Sequence, residues 1–405
     1  MKQLLLFGLP LLMISCTISQ SEDQAATSVD YQQQAQELAH RYIITDGHVD
    51  LPYRLNEKME DVSVRTAAGN FDYIRAKEGG LDAPFMSIYV PSSYQETGGA
   101  KEFADSMISI VETLTRSHPD KFGLATNPEE VMTLVEKGLI AFPMGMENGA
   151  PIENDISNVQ YFYDRGIRYI TLTHAKDNQI CDSSYDTTRT WNGLSPFGRE
   201  VVQAMNRTGI MVDISHVSDS AFYQVMQLTQ APAIASHSSC RYFTPGFERN
   251  MSDDMIKELA KNGGVIQINF GSTFLDSISA KSDEAINAHL EEWMDEHHLG
   301  EDDSLTQAYD TQYTSDNFTF SSVKKVADHI DHVVALTSVD HVAFGSDFDG
   351  VGDSLPEGLK DVSQFPNVIE ELLVRGYSEE DIAKICYKNV FRVWRQVTKT
   401  ADRLQ

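Results

Sequence analysis

Histidine and carboxylate side chains recur in this chain where apolar, strand-like runs give way to loops. His48 and Asp50 stand two residues apart at the end of the run 42–50. Because alternate side chains of a strand share one face, both can reach a single metal ion. Five further side chains of these types end comparable runs: Glu147, His174, His216, His237 and Asp347. The pattern predicts one polar site assembled from distant segments, and it indicates a metal-dependent hydrolase.

A second His-x-Asp pair in the same chain serves as a comparison. His329 and Asp331 have the same spacing, but they fall in the helix-like run 321–336. Side chains two residues apart on a helix point in different directions, so this pair is interpreted as structural. The position at a strand end, rather than the spacing alone, makes His48 and Asp50 candidate ligands.

The acid and the two histidines of the central runs favour a metal site as a group. Glu147 lies at the tip of an apolar run, where a carboxylate needs a partner to remain ionised. Its two oxygens can bridge two cations, and a loop or helix-cap acid is the alternative. His216 and His237 end consecutive runs, and neutral imidazole is a standard zinc ligand. Each histidine alone fits a hydrogen-bonded core residue equally well.

Four other residues are candidates for substrate contact or proton transfer. His174 fits either a metal ligand or a group that stabilises an oxyanion. Asp347, at a strand tip, is the better candidate for proton transfer, whereas Asp349 fits a turn equally well. Arg249 can clamp a substrate carboxylate, and a surface arginine is the alternative.

The elements that must position these residues follow a regular rhythm. Eight strand-like runs, rich in Ile, Val, Phe and Tyr, alternate with helix-like runs, as expected of strands covered on both faces. The runs are 42–50, 81–90, 139–147, 167–174, 210–216, 232–237, 264–270 and 341–347. They predict an α/β fold, a (β/α)8 TIM-like barrel with its site at the carboxyl-terminal mouth of the strands. A doubly wound open sheet is the alternative, but it would not bring all eight tips together.

Three segments lie outside this rhythm. Residues 16–38 are polar and rich in Gln and Ser, and we interpret them as a tether that precedes a barrel over 39–405. The acidic stretch 275–320 is interpreted as an insertion after the seventh strand, with a helical lid around 289–299. The tail from residue 362 is predicted to be helical and to close the barrel.

The composition limits the classes of partner. A chain of 405 residues with 41% hydrophobic residues can bury a full core. Its formal net charge of −28 argues against binding to nucleic acid and against electrostatic docking on anionic lipid.

The amino terminus indicates export. The apolar stretch 4–14 is too short to span a bilayer but suits a signal peptide over 1–15. Cys16 follows a small residue, which predicts a bacterial lipoprotein anchored in the cell envelope through a lipid on this cysteine. A plain secretory signal is the alternative. Three further cysteines, an odd number, rule out a fully paired disulfide framework. The sequence does not decide whether Cys181 and Cys240 form a disulfide.

As a set, these motifs resemble the membrane (renal-type) dipeptidases, zinc peptidases of the amidohydrolase superfamily. The likeness covers about residues 40–275 and 320–398. The matching stretches are Asp46-Gly-His48-Val-Asp50-Leu-Pro52, Glu78-Gly-Gly-Leu81, Ser87-Ile-Tyr-Val-Pro91, Gly145-Met-Glu147-Asn-Gly149, Arg168-Tyr-Ile-Thr-Leu-Thr-His174, Asp213-Ile-Ser-His216, Ser236-His237-Ser-Ser239, Arg249-Asn250 and Gly345-Ser-Asp347-Phe-Asp-Gly350. Two stretches depart from the family pattern: 242–247, and Gly271 where the family often has tyrosine.

The resemblance implies a role for each candidate. His48, Asp50 and Glu147 would hold one Zn²⁺, and Glu147, His216 and His237 a second, although such ligands also accept Mn²⁺ or Co²⁺. A hydroxide bridging the two ions would attack the peptide bond of a dipeptide. His174 would face the scissile carbonyl, Arg249 the substrate carboxylate, and Asp347 would transfer protons. The sequence does not decide whether the protein forms a homodimer.

Two other functions remain at this point. A relative of the same superfamily could act on another amide or on a lactone, keeping the metals without the Arg249 clamp. A lipoprotein that binds small ligands without catalysis is the third interpretation. Such a protein would not need histidines at the ends of two consecutive strands together with a bridging acid.

Overall fold

The computed structural model of this chain describes residues 30–405. The predicted signal segment 1–15 and the lipidation site at Cys16 lie outside the described residues, so both stay predictions. Within residues 30–405, no helix combines the length and the apolar composition that crossing a membrane would require.

Eight parallel strands form one sheet. The strands in chain order are β1 (Ile44–Val49), β2 (Leu81–Tyr89), β3 (Phe122–Leu124), β4 (Ile140–Phe142), β5 (Met144–Glu147), β6 (Ile167–Thr171), β7 (Met211–Asp213), β8 (Ile234–Ala235), β9 (Val265–Ile268) and β10 (Val342–Phe344). The large sheet has the order β1-β2-β5-β6-β7-β8-β9-β10, and β3 pairs with β4 in a separate small sheet.

The sheet closes beside the predicted site. The amide of Asp50 donates to Phe348 O at 2.8 Å, and the amide of Asp347 donates to His48 O at 3.1 Å. These bonds join the end of β1 to the segment after β10. The (β/α)8 prediction is therefore confirmed, and the open-sheet alternative is wrong because the first and last strands meet.

Helices surround the barrel. They are α1 (Tyr31–Arg41), α2 (Leu51–Glu57), α3 (Tyr73–Gly79), α4 (Tyr94–Thr97), α5 (Ala100–Ser117), α6 (Pro128–Glu136), α7 (Ser157–Asp164), α8 (Pro196–Thr208), α9 (Asp219–Leu228), α10 (Asp253–Lys261), α11 (Ser272–Leu275), α12 (Ser277–His297), α13 (Ser304–Asn317), α14 (Val323–Leu336), α15 (Phe365–Val374), α16 (Glu379–Ala383) and α17 (Asn389–Leu404).

Serine caps fix where several helices begin. The side chains of Ser195, Ser218 and Ser252 each accept a hydrogen bond from a backbone amide in the first turn of α8, α9 and α10. Such a cap satisfies one of the amides that have no partner within the helix. Each of these helices follows a strand and returns the chain for the next one.

The carboxyl-terminal tail closes the amino-terminal end of the barrel. Trp394 of α17 lies 5.3 Å from the ring of Phe85, which in turn lies 5.6 Å from the ring of Tyr169 inside the barrel. All three side chains are buried. The predicted helical tail is confirmed, and it seals the end of the barrel opposite the predicted site.

Two sequence predictions need correction. The tether was expected to reach residue 38, but α1 begins at Tyr31 and buries Ala35, Leu38 and Ala39, so the folded unit starts earlier. The run 139–147 was expected to be one strand, but Pro143 separates β4 from β5. Proline lacks an amide hydrogen for the ladder, and β4 pairs instead with β3, which the sequence did not predict.

The segment 275–320 forms two helices, α12 and α13, which extend beyond the predicted lid around 289–299. The comparison pair is structural, as expected: the ring nitrogens of His329 contact the amide of Cys240 and the carbonyl of Leu275, both at 3.0 Å. Cys181, Cys240 and Cys386 are free and buried.

Candidate metal centre

Strand ends bring the predicted residues to one mouth of the barrel. Glu147 is the last residue of β5, and His48 is the last but one of β1. The other candidates follow their strands by one to three residues: Asp50 after β1, His174 after β6, His216 after β7, His237 after β8 and Asp347 after β10. Because all strands are parallel, their carboxyl ends share one edge of the barrel.

Glu147 lies at the centre of this arrangement. Its Oε1 is 3.0 Å from His216 Nε2 and 3.3 Å from His237 Nε2. Its Oε2 is 3.2 Å from His48 Nε2, which lies 3.4 Å from Asp50 Oδ2. The two oxygens of one carboxylate thus face two different sets of side chains.

Three overlapping groups of side chains could hold cations. Within each group, the ligand atoms lie within 4.8 Å of one another, and the groups are His48–Asp50–Glu147, Glu147–His216–His237 and His48–His237–Asp347. Nitrogen and oxygen donors of this kind suit Zn²⁺, Mn²⁺ or Co²⁺. The fit is supported by His48 Nε2 and Asp50 Oδ1, buried atoms that make no hydrogen bond, since buried polar atoms rarely lack a partner.

Hydrogen bonds below the site orient two of the imidazoles. The hydroxyl of Tyr169 donates to Gly47 O at 3.1 Å, so its oxygen can accept from His48 Nδ1 at 2.8 Å. The hydroxyl of Ser236 donates to Asp213 Oδ2 at 2.6 Å and can accept from His237 Nδ1 at 2.7 Å. Each contact places the proton on Nδ1 and leaves the Nε2 lone pair toward Glu147, the arrangement that metal-bound histidines require.

Burial and neighbouring charges set the ionisation of the group around Glu147. Burial lowers the pKa of His216 and of His237 well below 6.5, so both imidazoles are neutral, the form that binds metal. Burial would raise the pKa of Glu147, but His48 and the other imidazoles lower it well below its usual value. Glu147 is therefore an ionised carboxylate beside the neutral imidazoles of His216 and His237.

The pKa values of His48 and Asp347 are both raised. Burial opposes protonation of His48, but Tyr169, Glu147 and Asp50 together raise its pKa well above 6.5. Burial raises the pKa of Asp347 to about 8, and the carboxylates of Asp50 and Glu147 add to this. A cation between these groups would replace the shared protons as the positive charge.

The backbone is strained at two of the site residues. His216 has a φ of 68° and Asp347 a φ of 65°, both in the left-handed region that residues other than glycine rarely adopt. Such strain costs about 1–3 kcal/mol and persists where the surrounding structure imposes it, often at functional sites. At Asp347 a hydrogen bond from Asn269 Nδ2, 2.7 Å long, fixes the carboxylate.

His174 and Arg249 lie beside the cluster. His174 Nε2 is 3.7 Å from Glu147 Oε1, and its side chain is 22% exposed. Arg249 is not the surface arginine of the alternative interpretation, because it is only 3% exposed. Its guanidinium donates to Ser238 Oγ and to His237 O, both at 2.7 Å.

Asp349 belongs to the turn rather than to the metal groups. Its carboxylate accepts two hydrogen bonds from Arg54 Nη1, each 2.8 Å long, and one from the amide of Asn70. The turn interpretation of Asp349 accounts for these contacts.

A cleft of about 880 Å³ opens above the cluster. Its floor includes Asp50, Glu147, His174, His216 and Asp347. Aromatic side chains form much of its walls: Tyr53, Tyr89, Tyr185 and Phe274. The volume exceeds what a dipeptide needs, and the mixture of acids and rings suits a small, charged molecule with apolar side chains.

Sequence reasoning did not identify the residues that orient the ligands. Tyr169 shares a strand face with Thr171, two residues on, so the alternation of β6 carried a signal for an inward side chain. A Cβ at position 145 would collide with the Tyr169 ring, which explains the glycine in Gly145-Met-Glu147. Asn269 and Asp213 had no comparable signal, because their roles depend on neighbouring strands.

The model of the membrane dipeptidase family, peptidase family M19, matches residues 32–405. The chain belongs to the membrane dipeptidase family. It is thus a metal-dependent hydrolase that acts as a dipeptidase, with the amidohydrolase type of barrel. Six residues from the motifs that suggested this family lie together at the carboxyl-terminal mouth: His48, Asp50, Glu147, His216, His237 and Asp347.

Relatives of this membrane dipeptidase extend over most of its length. An uncharacterized dipeptidase of Schizosaccharomyces pombe is 31% identical over 370 residues, which cover 87% of this chain and 80% of the relative. The probable dipeptidase PvdM of Pseudomonas aeruginosa has 28% identity and a TM-score of 0.78, over 92% of this chain and 99% of that one. A metallopeptidase of Rhodobacter sphaeroides, solved with a phosphinate mimic of the dipeptide L-Ala-D-Ala, shares the fold at 23% identity and a TM-score of 0.72, over 88% and 99% of the chains.

Proposed function

We propose that this dipeptidase cleaves dipeptides at two divalent cations, Zn²⁺ in the first instance, that share Glu147. The observation that carries the proposal is the position of the two Glu147 oxygens, which face His48 and Asp50 on one side and His216 and His237 on the other. When bound, the ions would act as Lewis acids and lower the pKa of a coordinated water, which would make hydroxide available at neutral pH.

The residues of the chain divide the remaining work. Asp347, held by Asn269 within reach of His48 and His237, is placed to accept a proton from the attacking water and to return it to the leaving amine. His174 stands outside the three metal groups formed by residues 30–405 and lines the cleft. Burial lowers its pKa, and a neutral imidazole can donate a hydrogen bond to the developing oxyanion.

The substrate class follows from the family and from charge. The phosphinate mimic of L-Ala-D-Ala bound by the Rhodobacter sphaeroides metallopeptidase supports a dipeptide as the substrate here. Arg249 has donors left beyond its bonds to Ser238 and His237, and its Nε makes no hydrogen bond. We assign it to the free carboxylate of the dipeptide. The location in a bacterial envelope, through a lipid on Cys16, stays a prediction.

Removing the metal tests the proposal. Dialysis against a strong chelator is expected to lower kcat/KM for dipeptides by about 10³-fold or more, because no other group supplies the nucleophile. Added Zn²⁺ should restore activity, and elemental analysis of the purified protein should give two ions per chain. Full activity of the metal-free protein would refute the metal mechanism, and one ion per fully active chain would refute the shared Glu147.

Arg249→Ala tests the choice of a free carboxylate. We expect kcat/KM to fall about 10–100-fold for a dipeptide, the cost of one hydrogen bond between charged groups, with little change for the corresponding dipeptide amide. Arg249→Lys keeps the charge without the planar fork and should lie between the two. An equal loss on both substrates would mean that Arg249 acts by holding His237. That result would favour the alternative function, an enzyme that acts on another amide or on a lactone.

A further inference from the structure

An acid interrupts the buried face of α12, in the segment 275–320 that is interpreted from the sequence as an insertion. Ser279, Ile286 and Leu290 are the buried residues of this helix. Asp283 lies four residues after Ser279 and three before Ile286, so it falls on the same face. Apolar or small side chains occupy the rest of this stripe, and a charged residue there requires a reason.

The carboxylate of Asp283 faces the cleft rather than the core. It is partly buried and lines the same cavity as Glu147 and Asp347. Its side chain accepts one hydrogen bond, from Asn287 Nδ2 at 3.2 Å. Within residues 30–405, no lysine, arginine or histidine forms an ion pair with it. Two other acids outside the metal groups line the cleft: Asp349 is paired with Arg54, and Glu57 is exposed.

Aromatic stacking fixes the helix that carries Asp283. The rings of Trp293 and Tyr309 stack at 4.3 Å, and those of His289 and Tyr313 at 4.0 Å, which joins α12 to α13. Ser282 Oγ also accepts a hydrogen bond from the amide of Thr319 at 3.0 Å. The carboxylate is therefore positioned over the cleft by packed structure.

We propose that Asp283 is a specificity residue that binds an ammonium group of the substrate. The inference rests on the proposed function, in that dipeptides are cleaved in this cleft. The two cations would offset the acids of the floor, whereas Asp283 would keep its full charge. A dipeptide offers an ammonium either at its amino terminus or on a basic side chain, and both make charge-assisted hydrogen bonds to a carboxylate.

The environment of Asp283 agrees with this role. Burial raises its pKa, and Glu284 adds to the effect. A partly buried carboxylate without an ion pair is unfavourable, so an ammonium in the cleft gains from pairing with it. The benefit appears on binding, because the charge of a substrate ammonium does not change during hydrolysis. The effect should therefore fall on KM rather than on kcat.

Asp283→Asn and Glu284→Gln form a matched pair of variants for the test. Both remove one negative charge from adjacent positions of α12, but Glu284 is exposed and does not line the cleft. Asp283→Leu is a third variant, which completes the apolar stripe and should fold at least as stably as the native protein. The zinc-loaded enzyme is assayed with Lys-Ala, norleucine-Ala, Ala-Lys and Ala-norleucine.

In Asp283→Asn and Asp283→Leu, we expect KM to rise about 10-fold with kcat nearly unchanged, and Glu284→Gln to behave as the native enzyme. A rise for all four dipeptides assigns the α-ammonium, and a rise confined to the lysine dipeptides assigns the side chain. Unchanged KM values, or an equal rise in Glu284→Gln, would overturn the inference. If the native enzyme cleaved none of the four, the proposed function would fail instead.

Discussion

Glu147→Gln is expected to lower kcat/KM for dipeptides by about 10³-fold or more. The substitution keeps the shape of the side chain but removes its charge and one acceptor oxygen, so two cations could no longer share it. His216 Nε2 and His237 Nε2 lie only 2.9 Å apart. Because these imidazoles are neutral, the negative charge that attracts a cation to them comes from Glu147. Elemental analysis should show that at least one ion per chain is lost.

Glu153→Gln provides the control for that experiment. Glu153 is an exposed acid in the loop after β5 and belongs to none of the three metal groups among residues 30–405. Its replacement changes the net charge by the same amount, and we expect metal content and kcat/KM to stay at native values. Near-native turnover by Glu147→Gln with both ions in place would show that Glu147 is not the shared ligand.

The sequence predicted which candidate side chains lie together at the mouth of the barrel, because its signal is local. In a parallel barrel the strands are buried on both faces, so each leaves an apolar run, and the residue after the run lies at the mouth. His237 follows β8 by two residues, and the strand itself pairs over only Ile234 and Ala235. The polar residue at the end of the run therefore located the site even where the regular strand is very short.

Departures from the predicted fold arise where composition and geometry disagree. The Gln-rich stretch before residue 38 has the composition of a tether, yet Ala35, Leu38 and Ala39 have the spacing of one helix face. This face is buried, and α1 packs mainly against α15. Pro143 likewise lies within an apolar run that reads as one strand. Its missing amide hydrogen decides the outcome, and that physical reason was present in the sequence.

The residues that tune the site required the structure. Ser236 orients His237 because Asp213 of the neighbouring strand accepts its hydroxyl proton, and no pattern in one segment predicts a pairing between two. Asp283 was harder still to predict, because it lines the cleft from an insertion that contains no strand. Local periodicity identifies the face on which a residue lies, but only packing shows what that face meets.

Asp347→Asn is expected to lower kcat about 10²–10⁴-fold while both ions stay bound, because the variant cannot accept the proton of the attacking water. KM should change little. In the native enzyme, activity that depends on ionised Asp347 rises with pH through its pKa. Burial raises that pKa to about 8, and bound cations would bring it lower. The variant should therefore lose this rise on the acidic side of its kcat profile.

Comparison with a variant of the neighbouring Asp349 shows whether Asp347 transfers a proton, binds a metal ion or only supports the structure. Asp349 shares the positive φ of Asp347, at 66°, but is held by Arg54. Asp349→Asn should therefore lower the thermal stability and change kcat little. Asp347 itself lies within a possible metal group with His48 and His237. A loss of one ion in Asp347→Asn would make it a ligand rather than the base. Retention of both ions with a large fall in kcat would leave proton transfer as its role, since the carboxylate is then needed only after the metal centre has formed.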